Sequence, residues 1–215
     1  LGHDYYLWPK NVNGVESIST TYATVDTVEE ALAWIETAPE PWFCYVAFNA
    51  PHNPFHIPPA GTYTIVLPDV DPREFPYPFY RATVQSLDLE IGRMLRTMGT
   101  ELVDRTNIIF AGDNGTPREA SVAPFIPAHA KLSPYEGGIN VPLIIHGPAV
   151  STPGSEVSAL VNTTDLFATI AELSGMNLAV DLPPGLKHDS VSIVPYLNDP
   201  ATPSIRETVY AELFL

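Results

Sequence analysis

A single cysteine, Cys44, stands in 215 residues, so no disulfide can form within the chain and cysteine pairing says nothing of its compartment. It falls inside the apolar run 43–48 (FCYVAF), the setting of a small core residue. Basic residues are scarce as well: 10 Lys and Arg face 25 Asp and Glu, and the formal net charge of -15 repels nucleic acid and anionic membrane surfaces. No apolar run approaches the roughly 20 residues of a membrane-spanning helix. The expectation is a soluble globular chain with neither nucleic-acid nor membrane partners. The sequence also holds no G-x-S-x-G nucleophile elbow, no G-x-x-x-x-G-K phosphate loop, no zinc-type Cys/His spacing and no internal repeat.

What is present is core-forming material, 45% hydrophobic and 10% aromatic, enough for a single domain over residues 1–215. The organising stretch is 108–115 (IIFAGDNG), an apolar run that stops at a carboxylate, an amide and two glycines. A continuous apolar run is the pattern of a central strand covered on both faces. Open α/β sheets bind ligands at the carboxyl ends of such strands, which is where Asp113 and Asn114 fall. Taken alone, these residues favour a plainer reading, a strand followed by a tight Asp-Asn-Gly turn.

In chain order, residues 1–24 lack a clear period and read as loop. Thr27 followed by Glu30 is a capping-box signal for a helix that Pro39 and Pro41 end. Residues 43–48 read as a second buried strand, and the proline-stiffened loop 49–56 (NAPHNPFH) after it carries His52 and His56. If the two strands are parallel, these histidines share a sheet edge with Asp113. Residues 57–78 contain six prolines and read as a long surface connection. Tyr80, Val84, Leu87, Ile91, Met94, Leu95 and Met98 then recur at helical spacing, with Gly99 as the stop. Residues 142–147 (PLIIHG) read as a third strand, 165–173 as a helix stopped by Gly175, 191–197 as a short helix and 208–215 as a final strand. The alternation predicts an α/β fold, a mostly parallel sheet sandwiched by helices. A start at Leu1, directly in aromatic sequence, and an end without a polar tail suggest that residues are missing at both ends.

Five stretches carry a family resemblance: 41–59 (PWFCYVAFNAPHNPFHIPP), 80–95 (YRATVQSLDLEIGRML), 108–116 (IIFAGDNGT), 131–148 (KLSPYEGGINVPLIIHGP) and 165–175 (DLFATIAELSG). In this order and spacing they resemble successive blocks of the sulfatase family, the arylsulfatase-like branch of the alkaline phosphatase superfamily. The resemblance implies an alkaline-phosphatase-like core and a calcium- or magnesium-dependent sulfuric-ester hydrolase acting on a small anionic sulfate ester. It further implies that Asp113 and Asn114 are metal ligands, that His52 binds the sulfate and protonates the leaving oxygen, and that Lys131 neutralises a sulfate oxygen. Periplasmic or secreted localisation is implied in the same way.

Two family features are absent from this sequence. Cys44 is followed by Tyr-Val-Ala-Phe and so cannot be the C-x-P-x-R cysteine that becomes the formylglycine nucleophile, and the upstream aspartate pair of the metal site has no counterpart. Asp113 and Asn114 alone are too few for a cation that takes six to eight oxygens, so calcium should bind this chain weakly or not at all. Asn140 also stands where the family often has arginine. Three readings remain open here. The chain can be a piece of a sulfatase, a piece of a phosphodiesterase or phosphonate monoester hydrolase of the same superfamily, or a non-catalytic anion- or metal-binding remnant that self-associates through an uncovered sheet edge.

Overall fold

The computed structural model describes residues 4–213. They form two compact units, one made of residues up to Leu102 together with Pro117–Pro127, the other of Val103–Thr116 together with residues from Ala128 onward.

The first unit opens with an antiparallel hairpin, β1 (Trp8–Val12) and β2 (Val15–Ser19), in the register Trp8↔Ser19 to Val12↔Val15. Its two-residue turn is Asn13-Gly14 with φ of 52° and 87°, the doubly left-handed turn whose twist matches that of paired strands. The expected loop over residues 1–24 is therefore corrected at this point, and the Asn-Gly pair was its visible signal. α1 (Ala23–Thr37) begins four residues before the expected cap. Thr27 lies inside it and its hydroxyl donates back to the Ala23 carbonyl at 2.8 Å, so it serves as a mid-helix hydroxyl and not as the cap. α2 (Pro76–Met98) starts on a proline, whose missing N–H costs nothing at a helix N-terminus, and stops at Gly99 with φ 78°. Its buried residues are Phe79, Ala82, Thr83, Ser86, Leu87 and Glu90; of the expected apolar face Leu87 is buried, Tyr80, Ile91, Met94, Leu95 and Met98 are half-buried, and Val84 faces solvent. Buried Glu90 is held by Arg93 at 2.6 Å. Tyr5, Tyr22, Ala23, Ala50 and Leu87 form the core of this unit, with Trp8, Val25, Phe48 and Ile91 against it. α3 (Thr100–Asp104) follows directly on Gly99.

Residues 43–48 do not form the expected strand ladder. Their exposure alternates residue by residue as in an extended strand, yet none of their backbone groups has a hydrogen-bond partner among the described residues, and Phe43 and Tyr45 are 62% and 82% exposed. Extended conformation is local, whereas a ladder needs a second chain segment at 4.7–4.9 Å spacing.

The second unit is built on β3 (Ile108–Ala111) paired with β4 (Leu143–His146). The pairing is antiparallel, Ile108↔His146 to Ala111↔Leu143. Both ladders among the described residues are thus antiparallel, and the mostly parallel sheet is not formed by them; the mixed α/β class holds. β3 is also less covered than a central strand, with Phe110 on it and Ile144 on β4 exposed, because β4 is its single ladder neighbour among the described residues. Between the strands lies α4 (Glu136–Ile139). α5 (Asp165–Leu173) ends at Gly175, φ 82°, as its sequence predicts, and α6 (Leu178–Asp181) and α7 (Val194–Asn198) follow. Residues 208–213 form no strand, and 214–215 of that expected strand lie outside the described residues. No helix among the described residues is long and apolar enough to cross a membrane.

A buried ion pair ties the second unit together. Asp165, 1% exposed at the start of α5, accepts hydrogen bonds from both Nε (2.7 Å) and Nη2 of Arg206, and from the backbone N–H groups of Asn162 (2.8 Å) and Val191 (2.9 Å). Burial pushes its carboxyl upward, and Arg206 with the two backbone donors outweighs that and holds it below its ordinary value.

Candidate functional site

β3 delivers Gly112, Asp113, Asn114 and Gly115 into a loop that the second unit straps down by backbone hydrogen bonds. Gly112 N–H donates to the Pro142 carbonyl (2.9 Å), Gly115 N–H to the Gly138 carbonyl (3.0 Å), and Lys131 N–H to the Thr116 carbonyl (3.0 Å). Three segments distant in sequence, 112–116, 131 and 138–142, are thereby fixed against one another. Glycine is required where they meet. A Cβ on Gly115 would lie 1.9 Å from the Gly137 carbonyl oxygen, and one on Gly138 would lie 2.2 Å from that of Ser133. The stretch Glu136-Gly137-Gly138 is therefore a close-packing element.

Within this frame Asp113 is exposed and Asn114 half-buried, and neither side chain has a hydrogen-bond partner among the described residues. The Lys131 ammonium likewise makes no ion pair there. The next residue, Leu132, is 78% exposed with φ 67°, a left-handed conformation that costs an ordinary residue about 1–2 kcal/mol. Such strain is held in place by its surroundings, here the Thr116 strap on one side and the Ser133 hydroxyl donating to the Ala130 carbonyl (2.7 Å) on the other. No sequence signal marked it. His129 is occupied by stacking on Tyr135, ring centroids 3.6 Å apart, and Asn140 donates its side-chain amide to Glu136 at 2.9 Å.

His52 belongs to the first unit, whereas Asp113, Asn114 and Lys131 belong to the second. It is exposed, and its Nδ1 lies 2.9 Å from the Asn53 carbonyl oxygen. A carbonyl only accepts, so Nδ1 carries the proton and Nε2 is the nitrogen left without a partner among the described residues. His56, the other histidine of the loop, has both nitrogens engaged, Nδ1 on the Pro54 carbonyl (2.8 Å) and Nε2 on the Tyr22 hydroxyl (2.9 Å). Burial pushes its pKa down. The same loop histidines thus differ: one is buried in partners, the other offers a nitrogen.

The chain matches the Sulfatase family over residues 3–176, most of its length. It belongs to the sulfatase family. Among curated relatives, Arylsulfatase K of Xenopus laevis is 24% identical over 199 residues, covering 70% of this chain and 36% of that protein. The uncharacterized sulfatase YdeN of Escherichia coli (strain K12) is 27% identical over 210 residues, covering 92% of the chain and 35% of the relative. The crystal structure of Ps i-CgsB superposes with a TM-score of 0.72 at 27% identity, covering 90% of this chain and 42% of that one. The sulfatase chain thus spans about a third of the length of these curated relatives. Its structural neighbours give it the alkaline-phosphatase-like α/β fold.

Members of this family use a divalent cation, and the donors present here test that requirement. Asp113 and Asn114 are hard oxygen ligands of the right kind for calcium or magnesium. They are two, however, and among the described residues no group of three or more His, Cys, Asp and Glu could hold a metal ion. This donor set does not make a complete calcium site.

Proposed function

We propose that the chain carries part of the active site of a sulfate-ester hydrolase, with Asp113 and Asn114 as metal ligands, Lys131 as the group that neutralises a sulfate oxygen and His52 as the proton donor to the leaving oxygen. The observation that carries this reading is the backbone strap that fixes the Lys131 segment to the loop holding Asp113 and Asn114, in a chain of the sulfatase family. Transfer of a sulfuryl group spreads charge over its equatorial oxygens and onto the leaving oxygen. An ammonium held by its backbone beside that position stabilises the charge without reorganising, which is where such groups gain most. A histidine whose Nδ1 is anchored and whose Nε2 has no partner among the described residues can deliver a proton from Nε2 when charged, a contribution of about 10²- to 10⁴-fold in rate.

The nucleophile of the family mechanism is not in this sequence, since Cys44 lacks the x-P-x-R context. Its thiol is pushed up by burial, away from the reactive thiolate. The 215-residue chain alone is accordingly inactive in this reading, and calcium or magnesium would be held by these two ligands together with others supplied outside them. Calorimetry on the chain should find calcium no tighter than about 10⁻³ M, the weak end for protein sites. Tight, stoichiometric binding would refute the half-site assignment. Export to the periplasm or the cell exterior belongs to the same proposal and is checked by fractionation.

The activity test compares 4-nitrophenyl sulfate with 4-nitrophenyl phosphate, using the chain alone and the complete protein that contains it. Preference for the sulfate is expected, with no turnover by the chain alone. His52→Ala and Lys131→Ala should each lower kcat/KM of the complete protein by about 10²-fold or more. A clear preference for phosphate would instead favour the phosphodiesterase or phosphonate hydrolase branch.

A further inference from the structure

We propose that Tyr5 and His56 are positioning residues for His52, forming an aromatic clamp that fixes the proline loop and sets which ring nitrogen His52 presents. The inference rests on the reading of His52 as the group that meets the substrate. Tyr5 is 6% exposed, and its hydroxyl lies 2.8 Å from two carbonyl oxygens at once, those of Asn49 and His52. Both oxygens can only accept, so the single phenolic proton is shared between them. The Asn49 carbonyl also accepts the N–H of His52 at 2.9 Å. The backbone of His52 is thus held at its N–H and at its C=O, and one side-chain oxygen, 44 and 47 residues away in sequence, locks the pair.

Tyr5 is itself held by His56. The two rings stack with centroids 4.2 Å apart and an interplanar angle of 28°. His56 Nδ1 donates to the Pro54 carbonyl, which leaves Nε2 of the neutral ring as an acceptor for the Tyr22 O–H. The groups facing His56 are Tyr5, Tyr6 and Tyr22, whose phenols are all pushed up by burial, together with Asp4, so the rings around it stay uncharged across the physiological range. Tyr22 closes the cluster, with its ring 5.8 Å from that of Tyr5 and 5.0 Å from that of Tyr6.

The consequence reaches the His52 ring through its own backbone. Nδ1 of His52 donates to the carbonyl of Asn53, the very next residue, a geometry available only while the 49–54 turn keeps its shape. With that bond in place Nε2 is the unprotonated nitrogen of the neutral ring; without it the imidazole is free to exchange tautomers. The two histidines of the H-x-x-x-H spacing therefore hold different offices, His56 consumed in the clamp and His52 pointed by it.

The test uses the 215-residue chain with isotope-labelled histidine, read by NMR for the His52 tautomer and by amide hydrogen exchange. Tyr5→Phe keeps the stacked ring and deletes only the shared donor. It should reduce the Nδ1–H population of His52 and raise exchange of the His52 amide about tenfold, the scale of one lost hydrogen bond, with α2 amides unchanged. His56→Asn, whose side-chain amide stands where Nδ1–H does, should retain more of the His52 protection than His56→Ala. An unchanged tautomer and exchange rate in Tyr5→Phe, or a rise shared equally by α2, would overturn the clamp. Loss of turnover in His52→Ala of the complete protein is a separate reading. If it fails while the NMR changes appear, the catalytic assignment is wrong and the clamp stands.

Discussion

Gly115→Ala is the sharpest perturbation of the strapped loop, because the added methyl meets backbone and nothing flexible. Its Cβ would sit 1.9 Å from the Gly137 oxygen and 2.8 Å from both the Gly137 carbonyl carbon and Gly138 Cα. Ordinary contact begins at 3.4 Å, so the two segments must part by about 1.5 Å. Gly115 is not among the residues with positive φ, so alanine meets no backbone strain there and steric overlap is the whole cost. Overpacking of this kind costs about 1–3 kcal/mol. Parting also breaks the Gly115 N–H bond to Gly138, adding about 1 kcal/mol, for a total of about 2–4 kcal/mol. Native-state hydrogen exchange of the β3–β4 amides reads this locally, since opening of that ladder is what the wedge promotes. In the complete protein a shift of this size between the Asp113–Asn114 loop and Lys131 should lower kcat/KM by about 10²-fold. Gly154→Ala is the control, at φ 79° with open space around it, and it carries only the left-handed strain, away from the site. Gly115→Ala with β3–β4 exchange within about 0.5 kcal/mol of the parent chain would refute the close-packing argument.

Three further outcomes follow from the geometry. Asp165→Asn leaves Arg206 facing a neutral group in a buried site and should destabilise the second unit by about 3–5 kcal/mol in urea unfolding; equal effects of Asp165→Asn in the Arg206 and Arg206→Met backgrounds would show that the pair is not coupled. Because the folded pKa of Asp165 lies below its unfolded value of about 3.9, this stability is present above that pH and is lost as pH falls through the folded value. His56 acts in a higher window: its folded pKa is also lowered, so below about 6.5 the unfolded chain takes up a proton that the folded chain refuses, and stability should decline there in the parent chain and not in His56→Asn. Gly14→Ala, at φ 87° with nothing within 4 Å, should cost about 1–2 kcal/mol of hairpin stability, seen as faster amide exchange in β1 and β2 alone.

The candidate site was legible where chemistry and spacing are local. Asp113 and Asn114 at the end of an apolar run, the stop at Gly99 and the α5 helix ending before Gly175 were all visible in the order of residues, because apolar period and glycine stops act over a few positions. The hairpin is equally legible through Asn13-Gly14, whose turn chemistry specifies it although the flanking residues lack a clear period. Thr27 shows the opposite case, a capping pattern overridden because the helix gains a further turn by starting at Ala23.

Pairing and burial followed different rules. Residues 43–48 have the composition of a covered strand, and their extended backbone agrees, yet composition cannot supply a neighbouring strand, and neither can it tell an antiparallel β3–β4 ladder from a parallel one. The residue order was enough to place the chain among the sulfatases and to nominate His52, Asp113, Asn114 and Lys131, since each is a residue type set in a short motif. Tertiary structure alone revealed the Gly115–Gly138 strap, the strained Leu132 and the Tyr5 hydroxyl bridging Asn49 and His52. Each of those depends on atoms from distant segments arriving within a hydrogen bond's length, a condition that no local pattern encodes.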